Sequence, residues 1–431
     1  MLARWIYSLV FYLAVPALLY RLHKRAKLNP GYALRKAERF GRYSTSATPA
    51  LTQCVWIHTV SVGEFIAAQP LIEKLLAEYP HLPMLVTTMT PTGSDRVRAA
   101  LGERVHHVYL PYDLPGAFQR FLKHFNPKLL VVMETELWPN MIHYTSRRGV
   151  PVIIANARLS AKSAQGYKKV LPLVRPMLRE VSLVAAQSGP DGERFQDLGL
   201  PPASLQVTGT IKFDLNIDAN LRAQAQTLRE QWGKARPVFI AASTHEGEDE
   251  QVLEAYKLVH EAFPEALLVL VPRHPERFDA VASLVQQQGW KLARHSQAEP
   301  VNEATNVVLG DTMGELLKML GAADIAFIGG SLEPVGGHNM LESLAMGTPA
   351  ITGPHVFNFQ MVADLLEEME VLETICTPIG LGDEVVRLLK DESTRQQLAE
   401  RGLAVVSANR GAMDRLLDLI RHYLPAASSN K

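Results

Sequence analysis

Hydrophobic positions along the chain fall into three regimes. Residues 5–20 (WIYSLVFYLAVPALLY) are uncharged and mostly apolar, which predicts a helix without a polar face. From Ala50 onward, short β-branched runs alternate with amphipathic stretches, the pattern of parallel βαβ units. Runs at 54–60, 84–90, 128–133, 151–157 and 182–187 predict one set of strands. The polar segment GTIKFDLNIDANLRA, starting at Gly209, breaks the rhythm, and a second set begins at 237–243. It continues through 266–272, 306–311, 324–330 and 348–353. Residues 380–423 read as helices and the final AASSNK as a frayed end.

This rhythm predicts an α/β protein of two Rossmann-like, doubly wound domains facing a central cleft, preceded by a membrane-anchoring helix. The expected organisation is an anchor over 1–27, a first Rossmann-like domain over 28–210, a linker over 211–235, a second Rossmann-like domain over 236–423 and a tail over 424–431. The chain's 431 residues suffice for two domains with cores of their own. Its 44 Lys+Arg balance 44 Asp+Glu, which argues against nucleic-acid binding as its main work, and its 47% hydrophobic content excludes a disordered protein. Cys54 and Cys376 offer neither a disulfide framework nor a zinc spacing, which fits a reducing compartment.

Charge changes the picture at the N-terminus. The sixteen apolar residues cover about 24 Å as a helix, less than the ~30 Å hydrocarbon core, so the segment either spans or only embeds. Arg4 precedes it, whereas Arg21, Lys24, Arg25 and Lys27 follow, which places the rest of the chain on the cytoplasmic side of a spanning helix. No small-residue cleavage site follows, so the segment is expected to be retained. Between Arg21 and Arg42 eight Lys/Arg accompany one acidic residue, Glu38. That collar suits anionic headgroups, at about 1 kcal/mol per basic residue, although a solvated connector would look the same.

Candidate chemistry lies just after strands, where open α/β sheets bind ligands. Glu64 follows the 54–60 run at a helix start, where the dipole favours an ionised carboxylate able to accept a proton. Ser61-x-x-Glu64 is equally a capping box. Glu134 and Glu136 follow the 128–133 run in METELWPN, suited to orienting a cation or a hydroxyl, or to pairing with Arg158. Lys212, in GTIKFD, could meet a substrate carboxylate or stabilise departing phosphate charge, although a lone lysine in a linker is more often solvated surface.

In the second half, VPRHPERF places Arg273 after a strand, GDTMGEL places Gly314 at a helix start, and FIGGSLEPVGGHNMLE sets glycines around Ser331 ahead of Asn339-x-x-Glu342. Such glycines and helix starts suit phosphate, and the spacing is not the dinucleotide fingerprint, so a sugar nucleotide is expected rather than NAD. Without D-x-D, H-E-x-x-H or C-x-x-C motifs, no metal is implied. His58, His106 and His107 read as strand residues.

Together these motifs, with HTVSVGEFIAAQPLI, NARLS and ASTHEGEDE, resemble in order the bacterial 3-deoxy-D-manno-octulosonic acid (Kdo) transferases of lipopolysaccharide synthesis. The resemblance implies a GT-B fold, CMP-Kdo as donor, no metal or other cofactor, and a lipid A precursor as acceptor at the cytoplasmic face of the inner membrane. It implies Glu64 as general base, with Glu134 and Lys212 stabilising the transition state. For CMP it implies contacts from Pro272 and Arg273, from Met313, Gly314 and Glu315, and from Asn339, Met340, Leu341 and Glu342. Gly329, Gly330 and Ser331 are added on physical grounds. The competing expectations are a GT-B-shaped sugar-nucleotide epimerase, a membrane-tethered lipid-binding module without catalysis, and a transferase for another activated sugar.

Overall fold

A computed structural model of the chain describes residues 2–44, 48–215 and 217–424. The chain divides into two compact units, Met1–Asp214 with Arg410–Lys431, and Leu215–Asn409. Among the described residues, the first unit holds a parallel sheet of β1 (Cys54–His58), β2 (Met84–Thr88), β3 (His106–Tyr109), β4 (Pro127–Met133), β5 (Val152–Ala157), β6 (Leu183–Ala186) and β7 (Leu205–Val207). Their order is β3-β2-β1-β4-β5-β6-β7. The second unit holds β8 (Val238–Thr244), β9 (Leu267–Pro272), β10 (Leu292–Arg294), β11 (Val307–Leu309), β12 (Ile325–Ile328), β13 (Ala350–Thr352) and β14 (Leu372–Thr374). They are ordered β10-β11-β9-β8-β12-β13-β14.

Both sheets are doubly wound, and each reverses its winding once, between β1 and β4 in the first and between β8 and β12 in the second. Open α/β sheets bind ligands at such switch points, outside the carboxyl ends of the strands. The central strands are buried on both faces, as CVWIH and LLVLVP require of parallel strands covered by helices. The three strands not expected from the sequence, β7, β10 and β14, are edge strands, and the fourth edge strand, β3, was marked only by His106 and His107. An edge strand has one neighbour and need not be apolar throughout: LQV and LET each leave two of three residues exposed.

Two boundaries differ from expectation. Residues 211–214 belong to the first unit because Ile211 and Phe213 are buried there, and the helix Ala219–Trp232 belongs to the second, burying Ala225, Leu228 and Trp232. The stretch expected as a linker is therefore divided between the units. The final helix, Ala412–Arg421, returns to the first unit instead of closing the second. Its Met413, Leu416, Leu417 and Ile420 join the core under β1, β4 and β5, and the Asp214 carboxylate accepts from the backbone N–H groups of Gly411 and Met413 at 2.5 and 2.6 Å. The tail expected beyond Leu424 lies outside the described residues.

The first helix runs from Leu2 to Leu28, about 40 Å at 1.5 Å per residue. One stripe of it lies on the globular unit. Arg4 and Ser8 bond Asn140, Phe11, Val15 and Leu18 pack around Tyr112, Leu114 and Ala117, and Leu22 is buried. Steps of four and three residues keep that stripe on one side of the helix. Leu2, Trp5, Ile6, Leu9, Val10 and Leu13 remain exposed on the rest of it. Asp113 secures the contact: its carboxylate caps the backbone N–H groups of Asn140 and Met141 at 2.9 and 2.8 Å and accepts from the Tyr7 hydroxyl. Burial pushes Asp113 up to about 6 even so.

Candidate active site

In the first unit, the β1/β4 switch point collects the sequence-predicted acidic residues. Glu64 stands in the first turn of the helix Val62–Glu78. Its Oε2 accepts from the Val60 N–H at 2.7 Å, its Oε1 from the Ser61 hydroxyl at 3.2 Å, and Ser61 Oγ accepts from the Glu64 N–H at 3.4 Å. The serine half of the capping box is thus formed, while the glutamate reaches one residue past the cap, to Val60. Capping does not exhaust the residue, because burial, and then the charges of Glu134 and Glu136, push the carboxyl up to about 7 against those bonds. The helix dipole was expected to keep Glu64 ionised. Desolvation wins instead, and the group sits where a proton exchanges readily near neutral pH.

Glu134 follows β4 with φ +58°, a left-handed conformation costly for a residue with a Cβ. Its N–H still bonds the Ala155 carbonyl at 2.9 Å, so the sheet holds the backbone while the side chain is turned out of the strand direction. Strain of this kind concentrates at functional sites. Glu136 accepts from the Trp138 indole at 2.8 Å, and burial, then Glu134, pushes it above the usual carboxylate range. Arg158 contributes its carbonyl to the Thr135 hydroxyl.

Lys212 is no solvated linker lysine. It is carried on the turn Ile211–Phe213, whose Ile211 N–H bonds Asn156 Oδ1 at 3.2 Å. Asn156 itself has φ +50°, at a register shift in β5. Burial lowers the lysine's affinity for its proton, opposed by the nearby Glu134 charge and reinforced by Arg158. The site therefore gathers a poised carboxylic acid and two further carboxylates, with cations close by. Beside it lie a cavity of about 430 Å³ bounded by Thr135, Arg158 and Tyr167, and another of about 340 Å³ lined by Tyr7, Glu136, Trp138, Leu173 and Met177. The second is mostly apolar and reaches the first helix.

In the second unit, Arg273 and His274 follow β9, whereas Pro272 is its buried last residue. Of the 339–342 segment, Met340 and Leu341 are buried in the core, leaving Asn339 and Glu342 to present polar side chains. Asn339 Nδ2 donates to Glu342 Oε1 at 3.2 Å; burial holds Glu342 above its ordinary range, and the Arg273 charge acts the other way. The structure thus brings 273 and 342 together. Met313, Gly314 and Glu315 follow β11, on the far side of β9 from the switch point. Glu315 is held down at about 2 by bonds from Lys318 and Thr312. The helices expected to receive phosphate, Leu316–Gly321 and Leu341–Met346, have six residues each, too short for much of a dipole.

The added trio has a different role from the one expected. An added Cβ at Gly329 would stand 2.7 Å from the Ser243 carbonyl oxygen, and Ser331 Oγ spends itself on the Ile328 carbonyl and the Gly353 N–H. These residues build the loop. Glu248, fully buried and absent from the expected site, fixes it by accepting from the backbone N–H groups of His245, Gly330, Ser331 and Leu332. ASTHEGEDE carried the residue, but nothing in its spacing marked which of four acids would turn inward. Among the described residues, no group of three His, Cys, Asp or Glu is arranged to hold a metal ion.

The family described as 3-deoxy-D-manno-octulosonic-acid transferase (kdotransferase) matches residues 35–215, and glycosyl transferases group 1 matches residues 225–405. A 3-deoxy-D-manno-octulosonic acid transferase of Haemophilus influenzae is 46% identical over 98% of this chain and 99% of its own. The chain belongs to the Kdo transferase family. A Bordetella pertussis transferase of the same name is 37% identical over 98% of this chain and all of its own. The crystal structure of Anabaena Alr3699/HepE in complex with UDP covers 86% of the transferase and 98% of its own chain, with a TM-score of 0.55 at 14% identity. That likeness shows the GT-B glycosyltransferase fold. Family membership makes this an enzyme of glycosyl transfer rather than the epimerase or non-catalytic module weighed above.

Proposed function

We propose that the transferase moves Kdo from CMP-Kdo to a lipid A precursor, lipid IVA, with inversion in one displacement and without a metal ion. The observation that carries the reading is the Glu64 carboxyl, pushed up to about 7 at the switch point of the first sheet beside Glu134 and Lys212. In this reaction Glu64 takes the proton from an acceptor sugar hydroxyl. The hydroxyl oxygen bonds the anomeric carbon of Kdo, and the bond from that carbon to the CMP phosphate oxygen breaks with its electron pair. Lys212 offers positive charge to the anionic groups of the transition state, and Glu134 holds Lys212 in place. Arg273, Asn339 and Glu342 are assigned to CMP, with Pro272, Met340 and Leu341 contributing backbone and Met313, Gly314 and Glu315 closing around it.

The acceptor's acyl region is assigned to the apolar cavity between Tyr7 and Met177. The first helix then serves the membrane by lying in the cytoplasmic leaflet of the inner membrane. Residues from Arg4 to Leu22 touch the globular unit, and a crossing helix would draw that unit into hydrocarbon, whereas the exposed Trp5, Ile6, Leu9 and Leu13 suit an interfacial pose. Mass spectrometry of a tetra-acylated lipid A precursor, incubated with CMP-Kdo, chelator and the detergent-solubilised protein, tests the reading. Mass increments of whole Kdo units are expected; an unchanged acceptor refutes it.

A further inference from the structure

We infer that His245 and His338 form a proton-sharing imidazole pair that binds the phosphate of the nucleotide donor, taking up one proton from solvent as the anion arrives. The inference rests on the reading that the second unit binds CMP, and it adds a phosphate site to it. His245 follows β8 and His338 lies in the loop after β12, so the two flank the point where the winding of the second sheet reverses. Their rings lie nearly parallel and end to end, at 8° to one another with centroids 5.1 Å apart and Nε2 to Nε2 at 2.8 Å. Two imidazoles this close along their nitrogens must hold one proton between them, and only a second proton makes the pair cationic.

The surroundings are built for an incoming anion. Arg273 and His274 arrive from β9, with the His274 ring centroid 5.2 Å from that of His245. Gly330, at φ +68°, presents bare backbone to both rings: a Cβ there would stand 3.0 Å from His338 and 3.5 Å from His245. The carboxylates that could neutralise the pair are committed elsewhere. Glu248 is spent on four backbone N–H groups, Asp249 on Thr244 and Arg277, and Glu342 on Asn339. Burial, then the charges of Arg273 and His274, lowers the proton affinity of both imidazoles; at His245 the Glu248 charge opposes this and Arg277 adds to it, so an arriving anion supplies the counterion that favours the extra proton. His338 also adjoins Asn339, which places the phosphate next to the assigned CMP contacts.

Calorimetry on the full-length, detergent-solubilised protein tests this with cytidine, CMP, CMP-Kdo, uridine and UMP. Titrations run from pH 7 to pH 9, above the second phosphate pKa of about 6, in buffers of different ionisation enthalpy. For the wild type, CMP should bind with uptake approaching one proton and weaken by up to tenfold per pH unit. His245→Gln and His338→Gln should each lose tenfold or more in CMP affinity and lose the proton uptake, while cytidine binding, which reports an intact fold, stays within twofold. CMP affinity within twofold of wild type, with proton uptake unchanged, overturns the inference. A loss confined to CMP-Kdo would assign the pair to the sugar carboxylate and overturn the phosphate site. If the wild type prefers UMP to CMP, the CMP reading fails while the UMP and uridine comparison still decides the pair. Binding of neither nucleotide defeats both.

Discussion

Replacing Glu64 by glutamine separates the two roles that the structure gives it. The carboxyl is raised from 4.5 to about 7, so about half is ionised at pH 7 and roughly a tenth at pH 6. If this group takes the acceptor's proton, kcat/KM should fall about tenfold per pH unit below 7 and level off above it. Glu64→Gln removes the proton acceptor and should cost roughly 10²–10⁴ in kcat, about 3–5 kcal/mol, leaving a residual rate without that acid limb. The cap should survive, because glutamine also serves at this position: its carbonyl oxygen can accept from Val60 N–H while its amide N–H donates to Ser61 Oγ. Stability follows the opposite sign to activity. The folded state holds this proton more tightly than the unfolded chain, so the contribution of Glu64 is fully present below about 4.5 and is lost as pH rises through about 7. The amide has no such slope, so melting at pH 8 should match or exceed wild type. The assay is Kdo transfer to a soluble acceptor analogue between pH 5 and 9, with thermal melts of both proteins. The reasoning is refuted if Glu64→Gln keeps more than about a tenth of kcat, if the wild-type limb lies near 4.5, or if activity and melting temperature fall together.

Glu134→Gln removes one of the charges that raise Glu64, so the acid limb of the variant's residual activity should move to lower pH in the same assay. Lys212→Gln should lower kcat by about 10²–10³ with little change in melting, as expected of a cation acting on charge that develops in the transition state; an effect on KM alone would place it in ground-state binding. Glu248→Gln turns an N–H donor toward backbone donors in the second unit, and should cost about 3 kcal/mol, read as a fall in denaturant midpoint at constant slope. Asn140→Ala removes the partner of Arg4 and Ser8, and hydrogen exchange of the first helix should accelerate while β4 and β5 keep their protection.

The layers and the location of the chemistry are legible in the order of residues alone. Central strands such as Val238–Thr244 must be apolar on both faces, so their runs are visible without any knowledge of neighbours, and Glu64, Glu134 and Arg273 are legible because they follow such runs directly. The order of motifs along the chain also carried the family. Edge strands such as Leu205–Val207 were invisible because three residues, two of them exposed, leave no pattern, and the return of Ala412–Arg421 to the first unit was invisible because an amphipathic helix does not say which core will bury its stripe. Tertiary structure alone decided the protonation of Glu64, since desolvation and the proximity of Glu134 and Glu136 are sums over residues seventy positions away. It alone turned Glu248 inward, and it alone set His245 against His338 across 93 positions of chain. Proton affinity and pairing depend on distances in space, and spacing along the chain encodes those only where a single strand or helix sets them.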